Sequence, residues 1–327
     1  FDYSWIVPKG HQSPPLAFFE NGVAATDIRN NRAPGWDHSK VGASLLEKAV
    51  AFLDDHTTNH KGKPFYMHFC SDGAHGPFVP AATLAGRPLE GTTKMTAHTD
   101  MVHETDILLG ALVEALEKRG LRENTLVIYL SDNGGLPFER EHGHDAVAGL
   151  RGIKSTIFEG GQRVPFVASW PGRIPKGTVR HQLIGAHDTV ATALELAGVT
   201  VPKGQARDSV SLVPVLLGKR DDANPVRETL LVQSSPGRGP FVDKGFRAGK
   251  PAPKDLGKTK GDKGGQKALA FALYRVTWKL ALHDDKPAPL YDLATDLAEE
   301  TNLLPNATHA NRIKEMTAEY RKIRTAK

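Results

Sequence analysis

The feature that most constrains the fold is a short apolar segment that ends abruptly in polar and glycine residues. Residues 126–130 read Leu-Val-Ile-Tyr-Leu, and a run of β-branched and aromatic side chains of this length predicts a buried strand. Ser131-Asp132-Asn133-Gly134-Gly135 follows directly, so a carboxylate and an amide oxygen stand after a core strand on a backbone that glycine lets turn sharply. In open α/β sheets ligands bind at this end of the strands, and oxygen donors suit a hard cation such as calcium or magnesium.

The letters S-D-N-G are also common in ordinary turns, because Asn and Asp hydrogen-bond their own backbone. Taken alone, this segment is more typical of a turn than of a metal site. Three further motifs follow it in order: L-R-G-x-K ending at Lys154, E-G-G-x-R-V-P at 159–165, and W-P-G at 170–172. In this order and spacing the four motifs closely resemble the sulfatase family, which belongs to the alkaline-phosphatase-like superfamily.

In several other segments the apolar residues recur with the spacing of a strand or a helix. Residues 64–70 read P-F-Y-M-H-F-C and predict a second buried strand, whose end delivers the A-H-x-P-F pattern containing His75. The remaining elements predicted in chain order are a helix at 41–55, a helix at 106–119, a strand at 162–170, a helix ending at Gly198, a strand at 228–234, a hairpin at 268–283 and a helix at 311–324. Asp188 matches a family position, and we expect it to cap that helix at its N-terminus.

Strands that alternate with helices predict an α/β protein. The resemblance implies an α/β/α sandwich around a mixed central sheet, incomplete at the N-terminus, with a small C-terminal α+β subdomain. The composition changes near residue 218, so we predict a catalytic domain over 1–217 and a subdomain over 218–327. Residues 235–267 are rich in lysine and poor in apolar side chains, which predicts a solvated loop; a basic rim facing a polyanionic substrate is the alternative.

Composition excludes several classes of protein. The net charge of +5 favours the approach of an anionic substrate, but no basic helix interleaved with aromatic residues predicts nucleic-acid binding. No apolar run approaches the roughly 18–20 residues that span a membrane. The single cysteine, Cys70, excludes a disulfide framework, and we expect it to be a buried strand thiol. The composition predicts no oligomeric state.

The resemblance assigns candidate site residues. Asp132 and Asn133 match metal ligands, and calcium is expected rather than magnesium. Lys154 matches a lysine that contacts a sulfate oxygen, and His75 matches a histidine on the leaving-group side, where it could donate a proton. The alternatives are a solvated surface lysine for Lys154 and a structural histidine ahead of Pro77 for His75. His142 and His144 lie between the motifs and are expected to bind substrate.

The nucleophile is the departure from the family pattern. Sulfatases convert a cysteine or serine in a C/S-x-P/A-x-R motif to formylglycine. We expect this motif to be missing from the chain, and Cys70 is followed by Ser-Asp-Gly-Ala. We therefore expect the formylglycine of the parent enzyme to be absent from this chain, whose resemblance covers the later part of a sulfatase only.

Three interpretations remain open at this point. The chain is a fragment of a sulfatase that acts on a sulfated small molecule or carbohydrate, a phosphate or phosphonate ester hydrolase of the same superfamily, or a non-catalytic relative. We favour the fragment. The family implies a periplasmic or secreted protein, although no signal peptide is visible.

Overall fold

The structure is a computed structural model that describes residues 1–234, 270–283 and 285–326. It contains two compact units, Phe1–Leu126 and Val127–Lys327. The predicted domain boundary at residue 217 stays a prediction, and the predicted basic loop at 235–267 lies outside the described residues. Within the described residues, no helix is long and apolar enough to cross a membrane.

The first unit is built around two long helices. Helix α1 spans Val41–Asn59, close to the prediction, and α2 spans Ala97–Lys118. Helix α2 begins nine residues earlier than its apolar period indicates, because Thr96 and Thr99 form a reciprocal capping box in front of a polar first turn. Five short strands accompany the helices: β1 Trp5–Ile6, β2 Phe19–Glu20, β3 Val23–Ala24, β4 Thr83–Leu84 and β5 Arg87–Pro88.

The predicted buried strand at 64–70 is wrong in its burial and its pairing. The side chains alternate with the period of a strand, since Phe65, Met67 and Phe69 are half-buried while the residues between them are exposed. No strand is assigned to this segment within the described residues. Cys70 is accordingly exposed and not the buried strand thiol that the sequence suggested.

The second unit opens with the strand that the sequence identified, although its four residues are half-buried and not buried as predicted. Strand β6 spans Val127–Leu130 and pairs antiparallel with β7, Phe166–Ser169, so that Leu130 lies opposite Phe166. Residues 131–165, which hold three of the four motifs, therefore connect two neighbouring strands. The short helix α3 spans Glu159–Gln162 at the end of this connection.

A four-stranded antiparallel sheet and a helix form the end of the second unit, as the predicted α+β subdomain requires. The strands, in the order β11-β10-β9-β8, are β8 Thr229–Gln233, β9 Ala270–Arg275, β10 Trp278–His283 and β11 Lys286–Asp292. One face packs its leucines against Met316 and Tyr320 of α6, Ala310–Thr325. The other face carries three alanines and Tyr274 and packs against Ile157, in the motif segment.

Two further helices complete the second unit, α4 Asp188–Leu196 and α5 Val213–Leu216. Asp188 is the first residue of α4 and not the expected N-cap. Its buried carboxylate accepts hydrogen bonds from the backbone N–H groups of Gly185 and Val210, at 2.8 and 2.9 Å, and forms an ion pair with Arg227. Asp188 therefore ties three separate segments together and leaves the first turn of its own helix without a side-chain cap.

Candidate functional site

The S-D-N-G loop follows β6 and presents its oxygen-bearing side chains near the surface. Asp132 is exposed and Asn133 is half-buried. The Ser131 hydroxyl donates to the carbonyl oxygen of Asn133 at 3.1 Å, and the Asn133 amide nitrogen donates to the carbonyl of Gly134 at 3.0 Å. The carboxylate of Asp132 and the Oδ1 atom of Asn133 are thus the atoms that this loop offers to a cation.

Gly134 of this loop and Gly160 of the E-G-G segment allow close packing and do not make the sharp turn that the sequence suggested. Neither Gly134 nor Gly160 has a positive φ. A Cβ on Gly134 would overlap the carbonyl oxygen of Gly160, and the Gly134 N–H donates to the carbonyl of Gly161 at 3.1 Å. The S-D-N-G loop therefore lies backbone to backbone against the E-G-G segment.

The lysine motif joins the same cluster through its backbone. The N–H of Lys154 donates to the carbonyl of Gly135 at 3.1 Å, and the N–H of Gly160 donates to the carbonyl of Arg151 at 2.7 Å. The Arg151 guanidinium also donates to the Tyr291 hydroxyl at 2.8 Å, which anchors this loop to the four-stranded sheet. Three motifs of the second unit thus meet at one point, with Lys154 half-buried beside the S-D-N-G loop.

The donor set fits a hard cation in its chemistry and is incomplete in number. Calcium takes roughly six to eight oxygen ligands, and Asp132 with Asn133 supplies two side chains of the right kind. Within residues 1–234, 270–283 and 285–326, no group of three His, Cys, Asp or Glu side chains is arranged to hold a metal ion. Further ligands would have to come from backbone carbonyls, water or other groups.

The two histidines expected to bind substrate lie on the surface between the motifs. His142 is exposed, and its ring lies 3.8 Å from the carboxylate of Glu141. His144 is exposed, and its backbone N–H donates to the carbonyl of Glu139 at 3.2 Å. His144 also lines a cavity of about 10 Å³, which has room for about one water molecule and is too small for a substrate.

In the first unit, the backbone of His75 is held by a second histidine, His11. The ring of His75 is exposed and its Nδ1 atom lies 2.9 Å from the carbonyl oxygen of Gly76. His11 is buried, with 2% of its surface exposed, and its Nε2 atom lies 2.9 Å from the carbonyl oxygen of His75. A carbonyl only accepts, so Nε2 of His11 donates to it, while Nδ1 faces the Asp72 carboxylate at 3.5 Å.

A buried pair of carboxyl groups lies behind this histidine. Burial raises the pKa of Asp72, although the neighbouring His11 opposes the shift. Burial and the charge of Asp72 raise the pKa of Glu104, on α2, to about 7. The Glu104 carboxyl occupies the space where a side chain at Gly42 of α1 would lie. No periodic pattern in the sequence signals this pair, because its members come from a loop and a helix.

The expected site residues are distributed over both units. Asp132, Asn133, Lys154, His142 and His144 belong to the second unit, and the backbone of Lys154 contacts the S-D-N-G-G loop. His75 belongs to the first unit. The convergence of His75 with Lys154 and Asp132 on one pocket stays a prediction.

The expectation that the chain contains no C/S-x-P/A-x-R pattern is wrong, because two segments match it. Ser169-Trp170-Pro171-Gly172-Arg173 matches the pattern, and so does the segment that begins at Ser234. Ser169 pairs with Val127, at the opposite end of the β6–β7 pair from Asp132, so roughly three residues of strand, about 10 Å, separate it from Leu130. Ser234 is buried and accepts a hydrogen bond from the N–H of Ala270; the rest of its segment lies outside the described residues. Strand register thus places Ser169 away from the S-D-N-G loop, and Ser234 is buried against Ala270.

The sequence is similar to those of known proteins. The family model described as Sulfatase matches residues 12–199. The chain is 35% identical over 181 residues to an N-acetylgalactosamine-6-sulfatase of Canis lupus familiaris, which covers 55% of this chain and 33% of that protein. It is 26% identical over 337 residues to an N-acetylgalactosamine-6-O-sulfatase of Bacteroides thetaiotaomicron, covering 97% of this chain and 60% of that one. The chain thus spans about a third of the mammalian relative.

The structure is also similar to a solved one from work on the metabolism of multiple glycosaminoglycans by Bacteroides thetaiotaomicron. The two superpose with a TM-score of 0.77 at 21% sequence identity, covering 99% of this chain and 73% of the other. This likeness confirms the α/β class of fold that the sequence predicted.

Proposed function

The chain belongs to the sulfatase family, and on that premise we propose that it forms part of an enzyme that hydrolyses sulfate esters. The observation that carries the proposal is the meeting of three motifs in the second unit. The S-D-N-G-G loop, the lysine motif and the E-G-G segment lie backbone to backbone through the contacts of Gly134, Gly135 and Lys154. An oxygen-donor loop beside a lysine whose backbone is held in place suits the binding of a tetrahedral sulfate-ester anion.

We assign roles to the residues accordingly. Asp132 and Asn133 would hold calcium, which supplies Lewis-acid stabilisation of charge on the sulfuryl oxygens. The ammonium group of Lys154 would bind a sulfate oxygen and the ester oxygen, adding a positive charge that needs no metal geometry. His75 would donate a proton to the leaving oxygen, since its ring is exposed while its backbone is held by His11. His142 and His144 would contact the alcohol part of the substrate.

The substrate that we propose is a sulfated carbohydrate. Two relatives are named for the 6-sulfate of N-acetylgalactosamine, which supports a 6-O-sulfated amino sugar as the finer assignment. The net charge of +5 favours the approach of such an anion. A formylglycine nucleophile, supplied by residues other than those described, and a periplasmic or secreted location complete the proposal.

The decisive experiment is a calcium titration of the chain by isothermal calorimetry, with Asp132→Asn as the variant. We expect one calcium site in the wild type, weakened at least about tenfold in the variant by the loss of a charged ligand. Asp145→Asn is the matched control, because Asp145 is an exposed acid of the same connection whose carboxylate accepts from two backbone N–H groups.

Binding of the sulfated sugar is measured next, in calcium, with Lys154→Met as the variant. Loss of sulfate binding with retained calcium binding supports the role of the lysine. Calcium binding that Asp132→Asn leaves unchanged would refute the metal assignment, and preference for a phosphorylated over a sulfated sugar would favour a phosphate ester hydrolase.

A further inference from the structure

A lysine is buried where the four-stranded sheet meets the motif segment. Lys279 of β10 has 1% of its surface exposed. Its Nζ atom lies 2.9 Å from Oε1 of Glu159 and 2.8 Å from Oε1 of Glu299, and both glutamates are also buried. Burying three charges is costly unless each is paired and hydrogen-bonded, so this cluster is held together by close geometry.

The strand pattern explains how the lysine comes to face this cluster. Leu280 and Leu282 point into the core that packs against α6. Lys279 and Ala281 alternate with them and therefore lie on the opposite face of the sheet. That face would be solvated in a sheet with one covered side, but here Ile157 of the motif segment packs against it.

Glu159, the first residue of the E-G-G segment, is the centre of the cluster. Its Oε1 atom accepts from Lys279 and from the Tyr274 hydroxyl at 2.7 Å, and its Oε2 atom accepts from Arg163 at 2.8 Å. Its own N–H donates to Oε2 of Glu299 at 2.7 Å. Burial by itself would raise the pKa of Glu159, but the charges of Lys279 and Arg163 together with the hydrogen bonds from Tyr274 and Lys279 lower it. Glu159 is thus an ionised carboxylate fixed on both oxygens.

The two residues after Glu159 are the ones that hold the S-D-N-G loop. The carbonyl of Gly160 lies against Gly134 with no room for a Cβ, and the carbonyl of Gly161 accepts from the Gly134 N–H. A shift of Glu159 should displace these two carbonyls, since they belong to the next two residues of the chain. Gly134 should move with them, because it is in direct contact with one carbonyl and donates a hydrogen bond to the other. The position of the candidate cation loop therefore depends on the buried cluster.

We propose that Lys279 is a positioning residue, which fixes Glu159 and through Gly160-Gly161 sets the position of the loop carrying Asp132 and Asn133. This inference rests on the proposed function, because that proposal assigns those two residues to the cation. Lys279 touches neither the cation nor the sulfate, and it acts only through the E-G-G backbone.

Backbone hydrogen exchange tests the inference without any metal. The variant Lys279→Met removes the ammonium group, and Leu280→Ala is the control on the same strand, equally buried but facing α6. In Lys279→Met, exchange at the Gly134 and Lys154 N–H groups should speed up on the order of tenfold or more relative to the β9–β10 ladder. In Leu280→Ala, the loop and the ladder should change together. Exchange at Gly134 that tracks the ladder in both variants would overturn the inference.

A second variant covers the case in which Lys279→Met fails to fold because two buried carboxylates lose their cation. The triple change Glu159→Gln, Lys279→Met and Glu299→Gln leaves no buried charge unpaired, since Arg163, which loses its carboxylate partner, is half-exposed. Loop exchange should still be accelerated, and wild-type protection in this variant would contradict the positioning role.

Calcium titration separates this inference from the proposed function. If the wild type binds calcium, Lys279→Met should weaken the affinity about tenfold, since the two ligands lose their fixed spacing. Unchanged affinity in a folded Lys279→Met variant would overturn the positioning role. If the wild type binds no calcium, the proposed function fails, whereas the exchange measurement still decides whether Lys279 fixes the loop.

Discussion

The Nε2 atom of His11 lies 2.9 Å from the carbonyl oxygen of His75, which joins two histidines 64 residues apart in the chain. The first is buried and the second is exposed. A buried donor that holds the backbone of an exposed histidine leaves the ring of that histidine accessible while its position is fixed.

Replacing His11 should therefore cost stability and loosen the turn at His75. We expect His11→Ala to lower the free energy of unfolding by about 1–3 kcal/mol, because the His75 carbonyl loses its buried donor. His11→Gln, which offers a side-chain N–H in the same region, should restore part of the loss. Urea unfolding of the three proteins measures this, and equal stability of His11→Ala and wild type would show that the hydrogen bond contributes nothing.

The raised pKa of Glu104 predicts a pH-dependent stability of the first unit. Because the pKa rises from its ordinary value near 4.5 to about 7, the folded state holds a proton that the unfolded state releases. The stabilisation is complete below pH 4.5 and is lost as the pH rises through 7. Glu104→Gln should remove this dependence and stabilise the protein at pH 8 by an amount on the order of 2–3 kcal/mol.

Thermal unfolding from pH 5 to pH 8 checks the Glu104 prediction. Glu117→Gln, at an exposed position of the same helix, is the control and should keep the wild-type profile. A Glu104→Gln profile that parallels the wild type would assign the pH dependence to another group, with the neighbouring Asp72 as the first candidate.

Gly134→Ala should disrupt the cluster of motifs. The added Cβ meets the Gly160 carbonyl, and backbone cannot move away as a flexible side chain would. We expect a loss of about 1–3 kcal/mol in unfolding free energy together with loss of calcium binding. Gly172→Ala is the comparison: its φ of 68° gives some strain, but no other described atom lies within 4 Å of the added group. Calcium binding should survive there, and survival in Gly134→Ala as well would contradict the packing argument.

The chain of residues 1–327 should not turn over an aryl sulfate, even with calcium. The reason is positional, since Ser169 of the S-W-P-G-R match lies at the far end of the β6–β7 pair from Asp132 and Ser234 is buried in the sheet. A chromogenic aryl sulfate assay of wild type and Ser169→Ala tests this. Calcium-dependent turnover that Ser169→Ala abolishes would identify Ser169 as the nucleophile. It would contradict the prediction that Ser169 lies too far from Asp132 to act there.

Local pattern was enough to find the elements that a local pattern creates. Apolar residues recur every two positions in a strand and every 3.6 positions in a helix, so a short stretch of sequence is enough to predict either. This pattern predicted the strand at 127–130, helix α1, the hairpin of β9 and β10 and helix α6. The order of the motifs also identified the family. The start of α2 was missed, since a threonine capping box in a polar stretch carries no apolar period.

Tertiary structure alone decided why several residues are where they are. The sequence shows that Gly134 follows an Asn, but only the contact with Gly160 shows that it serves close packing. Lys279 sits in an alternating strand, and only the motif segment packed over that face makes it a buried charge bound to Glu159, 120 residues away. Contacts across such separations depend on how elements pack, and packing leaves no periodic trace along the chain. The sequence thus determined the elements and the family, and the fold determined which polar groups are buried against one another.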